Sequence, residues 1–165
     1  MCVAVSALRL GVGIADVTGP AAEVGMMGYA APHQNTAGIH FRLRSRAFAF
    51  VDDYSQDTLV FVSVDLCMMF SELKLQVLDA LERKLGSGRV RQDNLMISAT
   101  HTHSGPAGFT HYPLYNIVSL GFQKKNFDAI VSGIVASVEK AFNSLSAPGG
   151  AVLLNTAQLF DANIK

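Results

Sequence analysis

The sequence predicts an α/β fold, with α+β as the nearest alternative: a mixed sheet containing one βαβ unit and flanked by helices. Three stretches carry that prediction. Leu59 to Leu66 reads as a strand apolar on both faces, a helical stripe begins at Ser71, and Leu95-Met96-Ile97-Ser98-Ala99 reads as the next strand. Ile39 to Val51 alternates with a period of two, as a strand with two unlike faces does. Apolar residues recur at helical spacing from Phe127 to Phe142.

Composition sets the bounds. Of 165 residues, 50% are apolar and 16% charged, enough for one globular domain with a real core. Thirteen Lys plus Arg against 13 Asp plus Glu exclude the electrostatic footprint of a nucleic-acid binder. No apolar run approaches the roughly 18 residues of a membrane span. Two cysteines, Cys2 and Cys67, are too few for a disulfide framework, and Cys67 closes the run Leu59 to Met69, which predicts a buried, inert thiol. The first arginine, Arg9, follows the mildly apolar Met1 to Leu8, the reverse of a signal peptide's order, so the fold is expected to start almost at once. There is no internal repeat, low-complexity tract or linker.

Taken in order, Leu8 to Asp16 alternates apolar with small or polar residues. That suits a strand whose glycines, Gly11 and Gly13, mark the close approach of another backbone or a ligand. Gly11-x-Gly13 lacks the third glycine of a dinucleotide fingerprint, and Asp16 would repel a pyrophosphate. Gly25 to Gln34 mixes glycine, methionine and aromatic residues without a period, so it reads as an ordered apolar loop that lines a pocket or plugs a core edge, with His33 exposed or bonded to the backbone.

In the alternating strand, Phe41, Leu43, Ser45, Ala47, Ala49 and Val51 share one face, and Arg42, Arg44, Arg46, Phe48 and Phe50 the other. Three arginines on one face either gather an anionic or carbonyl-bearing ligand or are simply solvated, the commoner outcome. Asp52 to Asp57 is a turn. The helix from Ser71 carries Leu73, Val77, Leu78, Leu81 and Leu85 and ends at Gly86 and Gly88. A crossover of that length makes the flanking strands parallel, with their carboxyl ends on one sheet edge, and so places Asp65 beside His101 and His103. Asn126 is a candidate cap for the last helix, which stops by Pro148, and Ala151 to Asn155 reads as a further strand.

The chemistry concentrates in Ser98-Ala99-Thr100-His101-Thr102-His103-Ser104-Gly105-Pro106. Residues two apart in an extended segment point the same way, so His101 and His103 address one centre. Two imidazoles there suit zinc, with Asp65 as a third ligand or as the carboxylate that orients a ring; the alternative is a pair of hydrogen-bonded histidines at the core edge. Ser104 adjoins His103 in sequence, which says nothing of a nucleophile and base meeting in space. Ser104-Gly105-Pro106 turns the chain, while Gly105 and Gly108 are expected to leave room for a substrate.

This loop, together with Gly11 to Pro20, Met27-Gly28-Tyr29-Ala30 and Gly38 to Phe48, resembles the neutral ceramidases, which hydrolyse the amide of N-acylsphingosine. The resemblance runs through almost the whole chain. It implies zinc-dependent hydrolysis in which the metal polarises the amide carbonyl and a serine takes part in the attack. It makes His101 a zinc ligand and places His103 in the substrate site as a catalytic group bonding the carbonyl or its oxyanion. It also implies a ceramide-binding hydrophobic pocket, for which Met26, Met27 and Tyr29 are candidates, and a secreted, membrane-associated or secretory-pathway setting with peripheral membrane contact. Oligomeric state stays open.

Family members continue for several hundred residues that hold a second zinc histidine, a glutamate, a tyrosine and the reactive serine. The resemblance therefore reads residues 1–165 as an incomplete, N-terminal part of the catalytic domain, and it implies that this chain alone is inactive. One alternative is a non-catalytic short form that binds ceramide or a full-length copy. Another is a different His-x-His hydrolase, which needs further ligands close behind the pair, and Ser104-Gly105-Pro106-Ala107 offers none.

Overall fold

Strands β5 (Thr58–Val64) and β6 (Leu95–Ala99) run parallel, joined by helix α1 (Ser71–Leu85) in the predicted βαβ unit. The structure, a computed structural model, describes residues 8–31 and 33–146; the expected strand at Ala151 to Asn155 lies outside them. Strand β4 (Arg44–Asp52) pairs antiparallel with β5 and with β1 (Leu8–Asp16), giving a mixed four-stranded sheet of order β1-β4-β5-β6. Strands β2 (Ala22–Gly25) and β3 (Asn35–Ala37) form a small antiparallel pair. A 3-10 helix (Pro113–Ser119) precedes α2 (Lys124–Asn143).

Both helices cover one face of the sheet. Ser45, Ala47, Ala49 and Val51 from β4 and Val60, Val62 and Val64 from β5 are all buried, as the alternation requires, and the apolar ones pack with Leu73, Val77 and Leu81 of α1 and Ile130, Ile134 and Val138 of α2. In that layer the Ser45 and Ser137 hydroxyls lie 2.8 Å apart, and Ser137 Oγ donates to the Ile134 carbonyl at 2.8 Å. Gly11 and Gly13 behave as expected. A Cβ on either would collide with a backbone carbonyl of α2, of Ala141 and Ser137 respectively, so the strand and helix approach with no side chain between them.

Four expectations need correction. The alternating strand begins at Arg44, five residues late, because Leu43 leaves the sheet: its N–H donates to the Thr18 hydroxyl and its carbonyl accepts from Val17 N–H. Strand β5 is not buried on both faces, since Leu59 is exposed and Phe61 and Ser63 half-buried. On that second face Val12, Phe48, Phe61 and Met96 stand in register across all four strands, with the Phe48 and Phe61 rings stacked at 6.2 Å. Asn126 is no cap, because α2 starts at Lys124 and Asn126 is buried inside it. The arginines are not merely solvated: Arg42 and Arg44 reach Asp16 at 3.7 and 3.6 Å, and Arg46 pairs with Asp65 at 3.0 Å.

Candidate functional site

The parallel ladder between β5 and β6 carries one residue past the strand, where Thr100 N–H donates to the Val64 carbonyl at 3.0 Å. The backbone then turns sharply. His101 has φ +63°, a left-handed conformation that costs a side-chain-bearing residue free energy and persists only where its surroundings hold it. The turn brings its ring to the segment that leaves β5, and Nδ1 donates to the Cys67 carbonyl at 2.8 Å. A donating Nδ1 leaves Nε2 with its lone pair free, the tautomer in which an imidazole binds a metal.

His103 stands beside it, ring to ring, at 4.8 Å between centroids. The half-buried ring rests on Gly28, where a Cβ would lie 2.6 Å from it, and meets Tyr29 edge-on at 5.4 Å. Gly28, at φ +109°, is glycine for two reasons at once: conformation and room for the imidazole. The Tyr29 and Ser104 hydroxyls are 3.4 Å apart.

The loop is pinned on both sides. Met26 and Pro106 form an isolated antiparallel bridge, and Ala107 N–H donates to the Gly25 carbonyl at 2.9 Å. From α2, the Asn126 amide donates to the carbonyls of Pro106 and Ala107 at 2.8 and 2.9 Å. The room expected at Gly105 and Gly108 is taken by the protein itself, through the Leu43 side chain and Gln123.

Asp65 reaches the predicted sheet edge but turns away from the imidazoles. Its carboxylate accepts from both Arg46 guanidinium nitrogens, at 3.0 and 3.2 Å, and from Arg44 N–H at 2.9 Å. The third donor near the histidines is instead the one read as inert. Cys67, His101 and His103 each bring one potential ligand atom within 4.8 Å of the others, and thiol and imidazole are donors that suit zinc. No sequence periodicity signals this, because the turn after β5 decides it.

Beside Ser104 and Pro106 opens an apolar cavity of about 230 Å³, lined also by Met26, Ile39, Phe41 and Leu43. Of the loop residues expected to face a substrate, Tyr29 is exposed, Met27 lies in the core at 5% exposure, and Met26 is the methionine that faces the cavity. Among the described residues no helix is long and apolar enough to cross a membrane.

The chain is thus an α/β protein that gathers imidazole and thiol donors at the carboxyl edge of its parallel strands, next to an apolar groove. It belongs to the neutral/alkaline non-lysosomal ceramidase family, whose N-terminal model matches residues 8–165. It is 49% identical over 159 residues to neutral ceramidase A of Dictyostelium discoideum, a match covering 96% of this chain and 22% of that protein. It is also 49% identical over 155 residues to the neutral ceramidase of Pseudomonas aeruginosa, covering 94% of this chain and 23% of that one. The crystal structure of the Pseudomonas aeruginosa enzyme superposes with a TM-score of 0.82 at 51% identity, over 86% of this chain and 22% of the other. A structure of a ceramidase complexed with C2 matches equally well. The chain therefore spans about a fifth of the length of these relatives.

Proposed function

We propose that this chain forms the N-terminal share of a zinc-dependent site that hydrolyses the amide of ceramide to sphingosine and a fatty acid. The observation that carries the reading is His101. A strained residue at the carboxyl end of a parallel strand has its Nδ1 engaged by a backbone carbonyl, so Nε2 is kept for a ligand. Zinc, when bound, supplies a Lewis acid that polarises the amide carbonyl. His101 Nε2 holds the ion, and His103, braced by Gly28 and Tyr29, bonds the carbonyl oxygen as it gains charge. The groove of Met26, Ile39, Phe41 and Leu43 takes hydrocarbon. The resemblance implies that the remaining zinc ligands and the reactive serine come from the part of the family that follows this one, so the 165-residue chain on its own should hydrolyse no ceramide.

The test is a chimera in which this chain replaces the matching fifth of the Pseudomonas aeruginosa enzyme. It should hydrolyse ceramide. His101→Ala should lower bound zinc and activity together, while His103→Ala should lower kcat with zinc retained. Full activity in the His101→Ala chimera, or turnover by the isolated chain, would overturn the reading.

A further inference from the structure

The two edges of the four-stranded sheet are finished differently. Along β1 the outward-facing backbone groups are taken up by α2 and the residues that leave it. Val12 N–H donates to the Ser144 hydroxyl at 2.8 Å, and that hydroxyl donates back to the Val12 carbonyl at 2.6 Å. Leu10 N–H donates to the Ser146 hydroxyl, Ser146 N–H to the Leu10 carbonyl, and Lys140 Nζ to the Ile14 carbonyl. A further strand could add to β1 only by displacing these groups.

Strand β6, at the other edge, has no such cover. The Asn94 carbonyl accepts from Val60 N–H, and Thr100 N–H donates to the Val64 carbonyl. The alternation of a strand therefore turns Met96 and Ser98 toward β5 as well, and leaves the backbone groups of Leu95, Ile97 and Ala99 facing outward. Leu95 N–H is taken by the Arg91 carbonyl, but the N–H and C=O of Ile97 and Ala99 have no hydrogen-bond partner among the described residues. Proteins protect a free edge with charge, proline or a bulge. Leu95-Met96-Ile97-Ser98-Ala99 has none of these, and no Asp, Glu, Lys or Arg stands anywhere between Asp93 and Lys124.

We propose that the outer edge of β6 is an interface that takes a further strand, supplied by the part of a neutral ceramidase that this chain does not span. The inference rests on the reading that this chain holds only a share of the site. Two observations choose the occupant. The chain covers 22% and 23% of the two relatives, which leaves most of a ceramidase to provide the strand. In addition, β6 is the strand that runs into His101. Neighbouring strands lie about 4.8 Å apart, so a residue at the end of the added strand stands within side-chain reach of the His101 ring. A second copy related by a two-fold axis would lay β6 antiparallel on β6 and set the two His101 residues at opposite ends of the pair, which completes neither site.

Amide hydrogen exchange, read residue by residue in the isolated chain and in the chimera with the Pseudomonas aeruginosa enzyme, tests this. In the isolated chain the Ile97 and Ala99 amides should exchange on the order of a hundredfold faster than those of Met96 and Ser98, which β5 holds. In the chimera all four should be protected alike. Fast exchange of Ile97 and Ala99 in the chimera overturns the proposal. So does protection of both in the isolated chain, whether it is lost on dilution, as with a second copy, or persists, as with pairing inside the chain. If the isolated chain exchanges throughout, β4 included, the chimera decides alone. Exchange does not depend on turnover: a protected edge in an inactive chimera upholds this inference against the ceramidase reading, and an active chimera with an open edge does the reverse.

Discussion

Replacing Asn126 by alanine tests whether α2 holds the histidine loop in place. The amide is 1% exposed and donates two hydrogen bonds, to Pro106 and Ala107. Its own Oδ1 has no partner and is packed against Gly19. Asn126→Ala leaves two carbonyls without their donor, at about 1–3 kcal/mol each, and removes one unpaired oxygen, which returns a penalty of about the same size. The net loss is about 1–3 kcal/mol, and in a chain of this length each kcal/mol moves Tm by about 2–4 °C. Thermal unfolding followed by circular dichroism should thus show a fall of roughly 2–12 °C. Hydrogen exchange of the amides from His101 to Gly108 should quicken by more than exchange in β4. A Tm within about 1 °C of the parent, or exchange in the loop no faster than before, would refute the argument that Asn126 anchors it.

Gly28→Ala places a methyl 2.6 Å from the His103 ring at a φ of +109°. The ring must move, and the nuclear magnetic resonance shifts that Tyr29 and His103 impose on each other should change, while those of α1 stay as they are. Acid stability should bear the mark of Asp16. Desolvation raises its pKa, but hydrogen bonds from Thr18 and the charges of Arg42 and Arg44 outweigh it, so the net shift is downward. A carboxyl lowered in the folded state stabilises the protein above its unfolded pKa, and that stability is lost as pH falls through the folded value. Asp16→Asn should therefore flatten the fall in Tm between neutral and strongly acidic pH, and a parent-like pH profile in the variant would count against the assignment.

Much of the fold was legible because periodicity is a local property. The alternation of β4 and the stripes of α1 and α2 each reflect one face meeting the core, and the parallel pairing of β5 and β6 follows from the length of the crossover. The edge of the sheet was legible too, which is why His101 lies where expected. Side-chain direction at that edge was not. Asp65 arrives beside the histidines in sequence logic, yet Arg46 and the Arg44 N–H lie closer to its carboxylate than any imidazole does, and charge decides the outcome. Cys67 enters the site because the two residues after Asp65 curl back, a turn that carries no signal in composition. Strands β2 and β3 are short, and their connection from Met26 to Gln34 has no period, so no alternation marks them.

The row of Val12, Phe48, Phe61 and Met96 has a consequence for the solvent. Four strands at about 4.8 Å spacing make the apolar stripe about 14 Å wide, beyond the length near 1 nm at which hydrating a hydrophobic object begins to cost in proportion to its area. Water can wrap a lone exposed leucine and keep its hydrogen bonds, but over a plate of this breadth it must give some up. Val12 and Met96 at its two ends are more than half exposed. The row thus leaves apolar surface in contact with water, at a cost in free energy that grows on warming and fades in the cold.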